Sequence, residues 1–250
     1  MRIELRAYGP LNHFLAPNAR HVARAFVLDA ATTAKDFVES AGIPHVEIDL
    51  MLVNGVAVGF QHLLADGDRI AVFPRFFSFE PAPDGAIKRS AEPARFVLDV
   101  HLGRLARHMR LAGLDTSYAS DASDETLAAL AAADDRILLT RDVGLLKRRA
   151  VEHGYWVRST SPRDQLVEVL QRFDRLPLAP FTRCLRCNGV LHAVDKTAIV
   201  DRLPPRVRER DDSFSRCAAC GQIYWKGTHY ERLAAALEAA IDEAGSGRRS

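Results

Sequence analysis

The stretch Arg95-Phe-Val-Leu-Asp-Val-His-Leu-Gly-Arg-Leu-Ala-Arg-His-Met-Arg-Leu-Ala-Gly113 places a strand, an acid and a helix in direct succession. Its first part is a short apolar run that ends in the carboxylate of Asp99, a pattern typical of a strand buried on both faces. Apolar residues then recur at helical spacing until Gly113 closes the helix: Leu102, Leu105, Ala106, Met109 and Leu111. The stretch therefore predicts one strand and the crossover helix of a parallel sheet.

The same alternation continues further along the chain. We predict further strands at 115–119, 136–140 and 155–157, and helices at 125–133, 145–153 and 163–173. Strands that alternate with helices of this length indicate a three-layer α/β domain, in which right-handed crossovers connect a parallel sheet. We place this domain at residues 95–176.

The preceding segment, residues 1–79, predicts an α+β domain with strands and one helix in the order β-β-α-β-β. Its motifs Leu52-Val-Asn-Gly-Val-Ala-Val58 and Leu64-Ala-Asp-Gly-Asp-Arg-Ile-Ala-Val-Phe-Pro74 resemble those of the β-grasp sulfur carriers, which are relatives of ubiquitin. Such carriers act through a free C-terminal Gly-Gly, whereas this chain continues through Phe76-Phe-Ser-Phe79. A docking or regulatory module is therefore the better interpretation, and we expect these phenylalanines to pack the first domain on the second. The proline-punctuated residues 80–94 predict a linker.

All four cysteines of the chain lie in two Cys-x-x-Cys pairs, Cys184 with Cys187 and Cys217 with Cys220. Four thiolates in this spacing suit a structural Zn²⁺. Two disulfides are the alternative in a secreted protein, and a catalytic zinc would need an open coordination position that four cysteines do not leave. We predict a zinc module at residues 177–232, followed by a helix at 230–244 in a C-terminal segment of residues 233–250.

Composition indicates a globular protein, with 48% hydrophobic and 26% charged residues and a net charge of +2. No apolar run approaches the roughly 20 residues that span a bilayer, and the strand-like N-terminus leaves no room for a targeting segment, so we expect a cytoplasmic protein without a membrane partner. Residues 181–232 carry ten Lys and Arg against six Asp and Glu. This excess suits a polyanion, although a solvated surface explains it equally well.

Three acids are expected at one edge of the predicted sheet, where ligands of open α/β sheets bind. Asp99 and Asp142 each follow a strand, and Asp124 begins the helix between them. Converging carboxylates suit Mg²⁺ or Mn²⁺, which can activate water for phosphodiester hydrolysis. Each acid has an alternative role as a helix cap, and Asp121 and Glu125 compete with Asp124 for the second position.

The motifs Phe96-Val-Leu-Asp-Val-His-Leu-Gly-Arg104, Ser123-Asp-Glu-Thr-Leu127 and Arg136-Ile-Leu-Leu-Thr-Arg-Asp142, together with both cysteine knuckles, resemble the MUT-seven carboxy-terminal RNase family. The resemblance implies a PIN-like nuclease fold with an appended zinc ribbon, and some members carry a ubiquitin-like module in front. It also implies that Asp99, Asp124 and Asp142 are the catalytic acids, that the catalytic cation is Mg²⁺ or Mn²⁺, and that RNA is the substrate. PIN-like domains often pair, so a homodimer is expected as one arrangement.

Four basic residues are candidates for substrate binding. Arg104, Arg107 and Arg141 lie near the acids in the sequence, where guanidinium groups either bind phosphate or form salt bridges to neighbouring acids. Lys226 lies in the aromatic stretch 224–230, whose rings either stack on unpaired bases or pack against the knuckles.

The leading hypothesis is a metal-dependent ribonuclease. Two alternatives remain open at this point: a non-catalytic RNA-binding or ribosome-associated zinc-ribbon factor, and a protein-interaction module centred on the β-grasp domain.

Overall fold

The computed structural model describes residues 1–74, 95–173 and 176–246. The predicted linker, the three phenylalanines at 76, 77 and 79, and the last four residues lie outside these ranges. The chain divides into two compact units, Met1–Glu92 with Asp142–Tyr155, and Pro93–Arg141 with Trp156–Ser250. Among the described residues, no helix combines the length and the apolarity that crossing a membrane requires.

The N-terminal part forms a five-stranded sheet in the order β2-β1-β5-β3-β4. Strand β1 pairs antiparallel with β2 and parallel with β5, and β3 pairs antiparallel with β5 and β4. The elements are β1 (Arg2–Ala7), β2 (Arg24–Val27), α1 (Ala34–Ser40), β3 (Leu50–Val53), β4 (Val56–Ala57) and β5 (Arg69–Phe73). The predicted β-grasp domain is therefore confirmed.

Local sequence explains these elements. Alternate residues of β1 are buried, which places Ile3, Leu5 and Ala7 in the core beside Phe37 of α1. The hydroxyl of Thr33 caps α1 by accepting a hydrogen bond from the backbone N–H of Asp36 at 3.1 Å. One face of the sheet thus buries its apolar side chains under the helix.

The following segment alternates strands and helices as predicted, with shifted boundaries. Its elements are β6 (Arg95–Leu98), α2 (Gly103–Leu111), β7 (Asp115–Tyr118), α3 (Asp124–Ala133), β8 (Ile137–Thr140), α4 (Val143–Leu146), β9 (Gly154–Trp156) and α5 (Pro162–Arg172).

Strand β6 lies inside a four-stranded sheet of order β7-β6-β8-β9 and pairs parallel with both β7 and β8. Phe96, Val97 and Leu98 are all buried, because a parallel strand has both faces covered. Leu98 is in register with Tyr118 of β7 and Leu139 of β8. The carboxyl ends of these strands therefore lie side by side, directly before Asp99.

Two helix predictions are wrong in detail. Ser123, and not Asp124, caps α3, since its hydroxyl accepts from the N–H of Thr126 at 3.3 Å and Asp124 is the first helical residue. The helix predicted at 145–153 is only α4, because Asp142 starts it early and i→i−3 hydrogen bonds from Lys147 and Arg148 close it after one turn. Lys147 then donates to the backbone carbonyl of Glu39 at 2.6 Å, within the first unit.

The C-terminal part is a small antiparallel sheet, β10-β11-β12, followed by a long helix. Its elements are β10 (Leu191–Val194), α6 (Pro205–Arg210), β11 (Phe214–Cys217), β12 (Ile223–Trp225) and α7 (Thr228–Ser246). A core of Ile199, Leu203, Phe214 and Ile223 stabilises this sheet. Helix α7 buries Leu237, Ala240 and Ala244, and Arg163 of α5 forms an ion pair with Glu243 of α7 at 2.7 Å.

Gly113 fixes the turn between α2 and β7, and its replacement generates the first prediction. It has φ +87°, and an added Cβ would lie 2.0 Å from the carbonyl oxygen of Ala179. We expect Gly113→Ala to lower the free energy of unfolding by about 3 kcal/mol or more, because backbone must move.

Gly221→Ala is the matched control, since it has φ +71° and its added Cβ would be 3.9 Å from the nearest atom. It should cost only the left-handed backbone penalty of about 1–2 kcal/mol. Urea unfolding followed by tryptophan fluorescence measures both variants, and equal losses in the two would contradict the packing argument.

Candidate active site and zinc centre

Asp99 is held by the end of the neighbouring strand. Its side chain is 5% exposed, and its Oδ2 accepts a hydrogen bond from the hydroxyl of Thr140 at 2.7 Å. The backbone N–H of Asp99 donates to the carbonyl of Leu139 at 3.0 Å. The alternative role as a helix cap does not hold, since its side chain makes no capping bond to the 3-10 turn Val100–Leu102. A buried carboxylate at this edge is therefore oriented by β8.

The other two predicted acids occupy helix starts. Asp142 is the N-cap of α4 and accepts from the N–H of Gly144 at 2.7 Å, so its capping role is real. Asp124 lies in the first turn of α3 and is half-buried, whereas its competitors Asp121 and Glu125 are exposed. Within the described ranges, the four cysteines are the one group of three or more acid, histidine or thiol side chains close enough to hold an ion. The three carboxylates are therefore not preassembled.

The four candidate basic residues differ in their surroundings. Arg104 and Arg107 lie three residues apart on α2, and both are exposed, as is Lys226. Arg141 instead donates from Nη1 to the backbone carbonyls of Val157, Arg158 and Ser159, at 3.1, 2.8 and 2.6 Å. That contact fixes the loop after β9, and a role for Arg141 toward substrate stays a prediction.

The cysteines form a site whose dimensions fit zinc. Their sulfur atoms all lie within 4.8 Å of one another, with Cys184 and Cys220 3.6 Å apart and Cys187 and Cys217 3.5 Å apart. Four sulfurs around Zn²⁺ at about 2.3 Å are separated by about 3.8 Å, so little rearrangement is needed. All four cysteines are free, which makes the disulfide alternative wrong.

Donors around the sulfurs favour thiolate in two positions. Burial opposes the charged form of Cys184, but the hydroxyl of Tyr224 and the backbone N–H groups of Cys187 and Arg186 lower the pKa of its thiol to about 6. The pKa of Cys217 is also lowered by backbone N–H groups, against the effect of its burial. Burial and the neighbouring thiols raise the pKa of Cys187 to about 12, so its deprotonation would depend on the metal.

A buried arginine joins the first knuckle to the parallel-sheet domain. Arg110 of α2 is 5% exposed and donates from Nε to the carbonyl of Thr116 at 2.9 Å. Its Nη1 donates to the carbonyls of Leu185 and Arg186, at 3.3 and 3.1 Å, inside the Cys-x-x-Cys turn. Burial lowers the pKa of Arg110, and the thiols of Cys187 and Cys184 act in the opposite direction. Because a zinc ion with four thiolates carries a net charge of −2, this cation also complements the loaded centre.

A second contact runs through Asn188, whose φ of +71° lets the knuckle turn toward β7. Its amide accepts from the N–H of Thr116 at 3.0 Å and donates to Asp115 at 2.8 Å. Asp115 also pairs with Arg136 at 2.7 Å and with Arg183 at 3.3 Å. Burial alone would raise the pKa of Asp115, but these partners hold it below its ordinary value. The sequence analysis missed this contact, although Asn188 follows the second cysteine directly.

The aromatic residues of the stretch 224–230 support the knuckle as well as lining a groove. The hydroxyl oxygen of Tyr224 accepts from the N–H of Leu185 at 3.0 Å and lies 3.2 Å from the sulfur of Cys184. Trp225 packs on the small core of the ribbon. The packing alternative therefore holds for these two rings.

Zinc removal generates the second prediction. We expect the purified chain to hold one zinc ion, and Cys217→Ser to release it, because one lost thiolate opens the shell. Metal analysis measures the ion, and hydrogen exchange should then rise across residues 184–225 while β1–β5 keep their protection. A zinc-free chain with a protected ribbon would contradict the assignment.

Arg110 generates the third prediction. Arg110→Met leaves three carbonyl contacts unmade, so we expect a loss of about 3 kcal/mol in the free energy of unfolding. Arg110→Lys keeps the charge without the planar fork and should fall between. Arg104→Met, an exposed change on the same helix, should stay within about 0.5 kcal/mol. A similar urea midpoint for Arg110→Met and Arg104→Met would show that the buried guanidinium does not join the two parts.

Comparison with known proteins agrees with this architecture. A family model described as the Mut7-C RNAse domain matches residues 94–237, and one described as Mut7-C ubiquitin matches residues 1–80. No curated protein and no solved structure matches the chain. Because the first model spans more than half of the 250 residues, the chain belongs to the Mut7-C RNAse domain family and carries a Mut7-C ubiquitin domain at its N-terminus.

Proposed function

We propose that this protein is a metal-dependent ribonuclease that hydrolyses RNA phosphodiesters at Asp99. The observation that carries the proposal is the Thr140–Asp99 hydrogen bond of 2.7 Å at the carboxyl ends of β8 and β6. It lies in the part of the chain that matches the RNAse domain model. A parallel sheet of this kind binds its ligands at that edge.

The donors at this edge fit a hard divalent cation. Asp99, Asp124 and Asp142 offer carboxylate oxygens, which Mg²⁺ and Mn²⁺ prefer. Such a cation, when bound, supplies water activation and charge stabilisation at the phosphate. Since the three carboxylates are not preassembled, we propose that Asp99 is the fixed ligand and that Asp124 and Asp142 adjust to it.

Other residues of the chain would position the substrate. Thr140 holds one oxygen of Asp99, which leaves Oδ1 for the cation. Arg104 and Arg107 make no ion pair with the residues that the structure describes, so their guanidinium groups are available to phosphate oxygens. Both lie on the helix that begins four residues after Asp99.

The fourth prediction concerns cleavage of a labelled, unstructured single-stranded RNA by the zinc-loaded full chain with Mn²⁺ or Mg²⁺. Asp99→Asn and Asp142→Asn should each lower the rate by about 100-fold or more, because a lost ligand weakens the cation. Asp164→Asn, an exposed acid on α5, is the control and should cleave normally.

Thr140 gives a finer test of the same site. Thr140→Val removes the hydroxyl that holds Asp99 and should lower activity about 10- to 100-fold, as is usual for partners of metal ligands. Thr140→Ser keeps the hydroxyl and should retain most of the activity. Cleavage that is unchanged in Asp99→Asn would refute the proposed site, and an intact chain that binds RNA without cleaving it would favour the non-catalytic RNA-binding factor.

The N-terminal domain is proposed as a protein-docking module, with its partner unassigned. Val27, Val56 and Leu63 are 80%, 66% and 68% exposed on it. Single exposed apolar side chains are common on protein surfaces, so they do not by themselves identify a partner.

A further inference from the structure

A groove of about 590 Å³ lies between α2, the zinc-ribbon sheet and the start of α7. We name it the ribbon groove. Its volume is in the range of roughly 300–1,000 Å³ that is usual for ligand sites. Six of its lining residues carry the argument: Arg107, Phe181, Trp225, Lys226, His229 and Tyr230. All belong to the second compact unit.

The charge of the groove is positive. Its lining contains Arg107, Arg183, Lys226 and His229 and no acidic residue. Arg183 is neutralised by Asp115 at 3.3 Å. Arg107 and Lys226 are exposed and form no ion pair within the described part of the chain. Two cations without counter-charges in one concave surface suit an anionic ligand.

The aromatic rings of the groove are arranged around one another. Phe181 and Tyr230 have ring centroids 4.2 Å apart at an interplanar angle of 37°. The ammonium of Lys226 lies 5.8 Å from the centroid of Tyr230. Rings beside cations are the combination that single-stranded nucleic acids use, because bases stack on the rings and phosphates meet the cations.

The backbone of Phe181 adds an independent observation. It has φ +62°, a left-handed conformation that is unusual for a bulky residue. Its N–H donates to the carbonyl of Leu111 at 2.9 Å, which holds the conformation against its cost. Such strain is often found where a side chain must be presented to a ligand.

Helix α2 connects the ribbon groove with Asp99. Arg107 and Leu111, one turn apart, line the groove, and the first turn of the same helix follows Asp99. From Gly103 to Arg107 the helix rises about 6 Å. A chain bound in the groove would thus continue along α2 toward the acid.

We propose that the ribbon groove binds an unpaired segment of RNA, with bases against Phe181 and Tyr230 and phosphates at Lys226 and Arg107, and directs the adjoining segment to Asp99. The identity of the ligand as RNA rests on the proposed function. A duplex is a poor ligand for this groove, because its paired and stacked bases cannot reach the rings.

The test measures binding of a fluorescein-labelled oligouridylate by anisotropy, with zinc-loaded full chain in the Asp99→Asn background and without Mg²⁺ or Mn²⁺. Tyr230→Leu should weaken binding roughly 5- to 100-fold, as expected for a lost stacking ring. Tyr230→Phe keeps the ring and should bind within about twofold of the parent. Zinc content and the urea midpoint confirm that each variant is folded.

Lys226 is tested through salt dependence. Lys226→Ala should reduce the slope of log K against log salt by about 0.7, the value for one single-strand phosphate contact. Lys196→Ala is the matched control, because Lys196 is paired with Asp212 at 2.9 Å and does not line the groove. Its slope should be that of the parent.

Parent-like binding by both Tyr230→Leu and Lys226→Ala would overturn the inference, and so would equal competition by an RNA duplex. These outcomes are distinct from failure of the proposed function. If the groove variants weaken binding but Asp99→Asn still cleaves in a wild-type background, the groove stands and the active site is refuted. If Asp99→Asn alone abolishes cleavage and the groove variants bind normally, the reverse holds.

Discussion

A buried cation and four unpaired carbonyl and thiol groups explain how a small zinc ribbon becomes part of a larger domain. The guanidinium of Arg110 bridges the carbonyl of Thr116 and two carbonyls of the first knuckle. Burying it is costly unless its donors are used, and the negative zinc–thiolate centre beside it offsets part of that cost. The Asn188 and Asp115 contacts complete the junction. The ribbon is therefore positioned by the same helix, α2, that follows Asp99.

This junction has a consequence for function. Because α2 also supplies one wall of the ribbon groove, zinc loading, groove shape and the acid at the sheet edge depend on one helix. A structural metal can thereby affect substrate binding without contacting substrate. The acid edge itself needs less support, since Thr140 on the neighbouring strand orients Asp99 directly. Rigid strands and a docked ribbon are a suitable frame for in-line attack on a phosphodiester.

Patterning predicted the parts of this chain in which one physical demand dominates. The apolar run of β6 and the alternation of β1 follow from burial on two faces and on one face, and the cysteine spacing follows from tetrahedral coordination. Arg110 was not predicted, since its spacing on α2 resembles that of any basic surface residue and only the tertiary fold buries it. The short α4 was also missed, because the capping of Gly144 by Asp142 and the Lys147–Glu39 contact outweigh local helix propensity. Likewise, nothing in the sequence indicates that Asp99 bonds to Thr140, which depends on strand register.

The central claim, that Asp99 anchors a divalent cation, is tested most directly by Mn²⁺ binding to the zinc-loaded full chain, followed by electron paramagnetic resonance. The account predicts that one Mn²⁺ site in the wild-type protein is lost or strongly weakened in Asp99→Asn, while the cysteine-bound zinc and the urea midpoint are unchanged. Mn²⁺ binding of equal stoichiometry and affinity in the two proteins would contradict it.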